Sequence, residues 1–312
     1  VDGHGPDLGF LDGTLGRHQG EAREAHGFHG AAGRADVPAL GRPAEDYLES
    51  IEFFHKNLDD CSVTHEAAQY SVSGKKALVI GGTGGVGGEI SAILAGGGAR
   101  LVVHGPDPSK LESLSKGLSV GGRAIETLAY RFPGLGLGPF MEKVSAFLPV
   151  DILVVGFGPF LRAALASTPP SAWEEMALLN LALPGALVSA CLPGMAASSY
   201  GRILLFGGSR TEQPRAALTN TAYAAAKTGL GVIARTIAKE YAASGVSCTV
   251  ICPGSADSAP VSAAAAEIRR DTAGSRLGQD PRSLADWALR LVLDRDATFN
   301  GAVITADRGF LA

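Results

Sequence analysis

A chain of 312 residues, 46% hydrophobic and 19% charged, carries enough apolar material for a large core and reads as a soluble globular protein. Its net charge of −4 and pI near 6.0 leave no basic footprint, which argues against nucleic acid as a partner. Four cysteines, Cys61, Cys191, Cys248 and Cys252, are too few and too scattered for a disulfide framework or a zinc site, so a reducing, cytoplasmic setting is expected.

Residues 1–42 hold ten glycines and four of the seven histidines and show no apolar periodicity. Such a segment buries too little surface to offset its ordering entropy, so a flexible extension is expected there. The irregular spacing of His4, His18, His26 and His29 among glycines argues against a metal site. Asp2 and Asp7 lie where a signal peptide would need an uninterrupted apolar core, and none is read there. Over 43–72 the apolar residues Tyr47, Leu48, Ile51, Phe54 and Leu58 recur at helical spacing, which predicts an amphipathic helix and a linker.

From 73 to 312 the pattern alternates. Short apolar runs at Lys75–Ile80, Ala99–Val103, Ala124–Ala129, Val150–Val155, Arg202–Phe206, Val246–Cys252 and Ala302–Thr305 read as strands. Helical stretches fall between them, notably at Glu89–Ala95, from Ser109, and around 173–192, 221–243 and 283–294. The run at 150–155 is nearly all apolar, as strands buried on both faces are. This order predicts one doubly wound α/β domain with a seven-stranded, mostly parallel sheet. Cys248 and Cys252 fall on the same side of one strand and read as buried structural thiols.

No charge lies between Glu175 and Arg202, a length that would cross a bilayer. Asn180, Pro184, Gly185, Pro193 and Gly194 are expected to break that run into a buried helix and a loop, so no membrane partner is expected.

The first strand runs into Gly81-Gly82-Thr83-Gly84-Gly85-Val86-Gly87-Gly88, with a helix following. Glycines in that place let backbone approach a pyrophosphate, and the helix N-terminus offers N–H groups and positive potential. Tyr223 and Lys227 lie four residues apart and share a helix face. An ammonium near a phenol favours the phenolate, so Lys227 is expected to lower the Tyr223 pKa and ready it for proton transfer in carbonyl–alcohol chemistry. In isolation the pair also suits an ordinary surface helix.

Taken in order, these motifs resemble the short-chain dehydrogenase/reductase family from about residue 73 to the C-terminus. The loop Ile80 to Gly87 is similar to the family's cofactor loop, Tyr223 to Lys227 to its Tyr-x-x-x-Lys, and 142 positions separate Gly81 from Tyr223, as is usual there. The resemblance implies a Rossmann-type domain, a nicotinamide cofactor, and reversible hydride transfer between that cofactor and a small-molecule carbonyl or secondary alcohol. It implies Tyr223, Lys227, Ser209 and Asn180 as catalytic residues. Gly81, Thr83, Gly84, Gly85, Val86, Gly87, His104, Gly158, Pro253 and Gly254 are implied in cofactor binding, with Tyr223 and Lys227.

Three departures stand out. Strict alignment puts Gly208 at the family's serine position, and a one-residue insertion before Tyr223 brings Ser209 there instead; the second alignment is preferred, and Thr211 is a poorer substitute. Only Gly158 survives of the Asn-Asn-Ala-Gly motif, in Val155-Gly156-Phe157-Gly158, and the acid after the third strand is absent from Leu128-Ala129-Tyr130-Arg131. The second strand ends in His104-Gly105-Pro106-Asp107, without the acid that marks NAD users or the arginine that marks NADP users. A 2′-phosphate is not repelled there and His104 can approach it, so NADP is favoured over NAD. A 3-oxoacyl thioester reductase is one subclass compatible with these motifs, and a homo-dimer or homo-tetramer is implied by resemblance. The rival expectation is a nucleotide-binding sensor or structural subunit with little catalysis.

Overall fold

The computed structural model describes residues 72–119, 125–132, 134, 136–254 and 279–307. The extension at 1–42, the amphipathic helix within 43–72 and nearly all of the segment after Gly254, expected as a substrate lid with a helix at Ala263–Ala266, lie outside the described residues.

Strand β1 (Lys76–Ile80) leads into helix α1 (Gly85–Gly96), then β2 (Arg100–Gly105), α2 (Pro108–Leu118), β3 (Glu126–Ala129), α3 (Gly138–Ser145) and β4 (Ile152–Val155). After a short 3-10 turn come α4 (Pro170–Ala177), a π-helical turn (Leu178–Ala182), α5 (Leu183–Ala197), β5 (Gly201–Phe206), α6 (Thr221–Glu240), β6 (Val246–Pro253), α7 (Pro281–Val292) and β7 (Val303–Ala306). The seven strands form one sheet in the order β3-β2-β1-β4-β5-β6-β7, and every pairing is parallel. The expected doubly wound architecture is therefore present, and the strand order reverses between β1 and β4.

Period-two alternation splits each central strand between two cores. Leu78, Ile80, Leu153, Val155, Ile203 and Leu205 face one side with α5 and α6, while Ala77, Val79, Ile152, Val154, Leu204 and Phe206 face α1 and α7 on the other. Cys248 and Cys252 both enter the first core, free and buried as expected, and Cys191 is free and buried beside them in that core.

One expectation needs correction, and one helix went unread. The apolar stretch after Glu175 is not broken by its prolines and glycines: the helical run Pro170–Ala197 is unbroken and is long and apolar enough to cross a membrane. Pro184 lies just after the π-helical turn, and Pro193 is carried inside α5. Leu183, Leu187, Val188, Cys191 and Met195 of α5 are buried in the first core. Helix α3 carries no expectation from the sequence, although Phe140 and Val144 on it are fully buried.

One row of paired residues crosses the sheet: Leu128, His104, Ile80, Val155, Leu205, Val250 and Val303. Because all strands are parallel, the segments that follow this row emerge on the same edge. Those segments carry the glycine loop, Gly158, Gly208 and Pro253-Gly254.

Candidate active site

The glycine loop closes the gap between β1 and α1. Gly81 has φ of +79°, a left-handed conformation that side chains disfavour, and Gly87 approaches so closely that a Cβ there would collide with the Gly81 carbonyl oxygen. Gly84 caps α1 without any side-chain hydrogen bond, and nothing lies within 4 Å of where its Cβ would stand. The first N–H groups of α1 thus face an open, side-chain-free cradle, which fits an anionic pyrophosphate. Thr83 turns its side chain against Gly105, where any Cβ would strike its methyl group.

On the other side of the switch point, α6 presents Tyr223 and Lys227. Lys227 is 4% exposed and donates from Nζ to the Phe206 carbonyl at 2.8 Å, which fixes the ammonium under the end of β5. Burial lowers its pKa to about 8, so it remains largely charged at neutral pH. Its Nζ lies 6.0 Å from the Tyr223 ring centroid. The phenol behaves opposite to expectation: burial pushes its pKa up to about 12, and Lys227 does not offset that. Desolvation of the phenolate outweighs a lysine committed to a carbonyl elsewhere.

Asn180 sits fully buried in the π-helical turn. Its Nδ2 donates to the Pro159 carbonyl at 3.1 Å, while Oδ1 is buried without a partner. A Cβ on Gly158 would overlap Asn180 Oδ1 and lie 3.0 Å from Lys227 Nζ. Gly158 is therefore the point at which Asn180 and Lys227 meet, and the orphaned Oδ1 with the nearby ammonium is a polar niche of the kind that orders a water.

The residue facing the phenol is Gly208. An ideal Cβ there would lie 2.6 Å from Tyr223 Cε1 and 2.8 Å from its hydroxyl. Gly208 to Thr211 form a tight turn, closed by the Thr211 N–H on the Gly208 carbonyl at 3.2 Å, with Arg210 at φ of +64°. Thr211 Oγ1 accepts from the Gly208 N–H at 2.8 Å and donates to the Gly208 carbonyl at 2.9 Å, so the buried threonine clamps the glycine in place.

Residues 75–269 match the short chain dehydrogenase family. The chain belongs to that family. It is 32% identical to D-beta-hydroxybutyrate dehydrogenase of Cupriavidus necator over 59% of this chain and 71% of that protein. It is 28% identical to 2-dehydro-3-deoxy-D-gluconate 5-dehydrogenase of Pseudoalteromonas atlantica over 78% of this chain and 98% of that one. Among solved structures, it resembles a 3-oxoacyl (acyl-carrier-protein) reductase from Agrobacterium tumefaciens C58 with NADP bound. The TM-score is 0.67 and the identity 26%, covering 77% of this chain and 96% of the other. As a member of the short-chain dehydrogenases, the chain is an NAD(P)-dependent oxidoreductase acting on a CH–OH or C=O group of a small molecule.

Against the family pattern, the fold gathers Tyr223, Lys227, Asn180 and Gly158 at one point, and sets the glycine loop and Pro253-Gly254 on the same sheet edge. Gly254 is held there by its N–H on the Ala306 carbonyl at 3.1 Å. Two expected residues are placed otherwise. Ser209 is exposed on the corner of the Gly208–Thr211 turn, and it is Gly208 that packs on the phenol, so the strict alignment describes the geometry. His104 is wholly buried: its Nδ1 accepts from the Gly81 N–H at 3.3 Å and its Nε2 donates to the Tyr130 carbonyl at 3.0 Å. Rings of Phe132, Phe140 and Phe157 surround it. Burial lowers its pKa to about 4, so it is a neutral strut beneath the glycine loop and is not available to a 2′-phosphate. Phe160, not marked in the sequence as part of the site, is brought to Tyr223, and Thr211, the poorer substitute for the serine, is brought to Gly208.

Proposed function

We propose that the chain reduces a ketone, of which a 3-oxoacyl thioester is one candidate, with NADPH, and that Tyr223 is the proton donor. The single observation carrying this reading is the half-buried phenol gathered with Lys227 and Asn180 at the carboxyl edge of a sheet whose glycine loop opens beside α1. A protonated phenol is the form that donates to a developing alkoxide. The nicotinamide, when bound, supplies the hydride in that direction and accepts it in reverse.

The chain's own residues do the rest. The N–H groups at the start of α1, with Gly81, Thr83, Gly84, Gly85, Val86 and Gly87, hold the pyrophosphate. Lys227 binds the ribose and repays the proton that Tyr223 gives up, and Asn180 links that lysine to solvent through the niche at its Oδ1. Gly158 leaves room for both, and Pro253-Gly254 borders the nicotinamide. NADP is favoured because Gly105 leaves no acid to repel a 2′-phosphate, and the NADP-bound Agrobacterium structure is consistent with it. The thioester class is supported by the reductase names among the relatives. A homo-dimer or homo-tetramer in the cytoplasm is part of the same proposal. Exposed Trp173 and Val232 on α4 and α6 support it, and light scattering of the purified protein tests the oligomeric state.

Tyr223→Phe keeps the ring and removes the proton. With NADPH and a panel of ketones and 3-oxoacyl thioesters, its turnover should fall at least about 100-fold while NADPH still raises the melting temperature. Full turnover by that variant rejects the assignment. Gly208 favours a second reading, since it deprives the phenol of a neighbouring hydroxyl: a nucleotide-binding protein with little turnover. A melting shift with NADPH and no oxidation of it across the panel would select that reading.

A further inference from the structure

Phe160 keeps 62% of its surface exposed while its ring meets that of Tyr223 edge to face, with centroids 5.0 Å apart at 78°. Single exposed hydrophobics are ordinary on a protein surface, but this one is pinned on both sides. Immediately before it, the Pro159 carbonyl accepts from Asn180 Nδ2; three residues after it, the Ala163 N–H donates to the Thr219 carbonyl at 2.8 Å, and Ala163 pairs in parallel with Asn220. The phenol is thus flanked by the bare backbone of Gly208 on one side and the ring of Phe160 on another. Lys227 is buried and donates to the Phe206 carbonyl, and the aromatic ring packed on the phenol is that of Phe160.

We infer that Phe160 is a specificity-determining residue, whose ring takes up the alkyl chain of an aliphatic ketone or secondary alcohol as the substrate oxygen meets the Tyr223 hydroxyl. The inference rests on Tyr223 being the proton donor, as proposed above, and adds the class of group carried next to the carbonyl. Covering the exposed ring with methylenes removes apolar surface from water on both partners, a gain that a polar substituent does not bring.

The test is calorimetric titration of the NADP-saturated protein with unreactive straight-chain amides, from acetamide through butanamide and hexanamide to octanamide. In the unaltered protein, affinity should rise by about fourfold for each methylene that the ring covers. In Phe160→Ala the ratio of octanamide to acetamide affinity should fall at least about tenfold. Phe160→Gln, which keeps bulk without the apolar face, should lower the same ratio and serves if the alanine variant does not fold. An unaltered protein without a chain-length gradient, or a ratio preserved in both variants, overturns the inference; in the latter case Phe160 would only support the tyrosine ring. Because the amides are not reduced, the gradient is read independently of turnover. Failure of every ketone as a substrate would sink the reductase reading, whereas a missing gradient with normal turnover would sink only the role of Phe160.

Discussion

At Gly208 any side chain would enter the space of the Tyr223 ring, since the ideal Cβ stands 2.6 Å from Cε1 and 3.0 Å from Cζ. The glycine is also clamped through its N–H and carbonyl by Thr211, so the backbone cannot yield easily. Gly208→Ala should therefore displace the phenol and not the turn. Misplacing a proton donor by about 1 Å costs on the order of 100-fold in rate, so turnover of the variant should fall by that order while the NADPH-induced melting shift persists. Steady-state kinetics and a thermal shift on the same preparation check both halves. The sequence offered two registers here that differ by one residue, with Ser209 as the chemically attractive choice. Nothing local decides between them; the packing of Gly208 against the Tyr223 ring on α6 does.

His104 shows how an element acquires a role its sequence position does not announce. It lies on β2, in register with Ile80 and Leu128, and its two ring nitrogens tie the start of the glycine loop to the segment after β3. A carbonyl only accepts, so Nε2 carries the proton and Nδ1 must stay bare to accept from Gly81. A second proton would set two donors against each other. The pKa, lowered to about 4 from an ordinary 6.5, gives the sign: stability from neutral His104 is complete above pH 6.5 and is lost as the unfolded chain takes up a proton below it. Urea unfolding between pH 7 and pH 4.5 should lose about 2–3 kcal/mol through this residue. His104→Gln, which keeps a donor and an acceptor but does not titrate, should lack that part of the slope; an unchanged slope rejects the account. The π-helical turn at Leu178–Ala182 is a second case, because Asn180 was legible as a polar residue in an apolar helix while its aim at Pro159 and Gly158 was not.

Over the whole molecule, the sheet separates two cores by residue parity, and its central strands are buried on both faces. Leu153 on β4 is fully buried in the core shared with α5 and α6. Leu153→Ala should therefore lower the stability of the domain by about 2–5 kcal/mol, seen as one cooperative loss in denaturant unfolding. The same burial made the strands readable. Ile152–Val155 and Ile203–Phe206 are continuous apolar runs because both faces are covered, and a chain that alternates such runs with helices has few ways to fold. Helix α3 escaped notice because it begins at Gly138-Pro139 within a stretch of turn-forming residues and is only eight residues long. The break expected after Glu175 did not occur because the apolar face of α5 is held in the first core. By itself the sequence determined the parallel sheet, the open glycine cradle and the Tyr223–Lys227 face, since each follows from residue types at local spacing. Only the tertiary structure decided that Gly208 and not Ser209 meets the phenol, that His104 is a buried strut, and that Phe160 borders the site. Those outcomes depend on contacts between segments far apart in the chain, which no local pattern encodes.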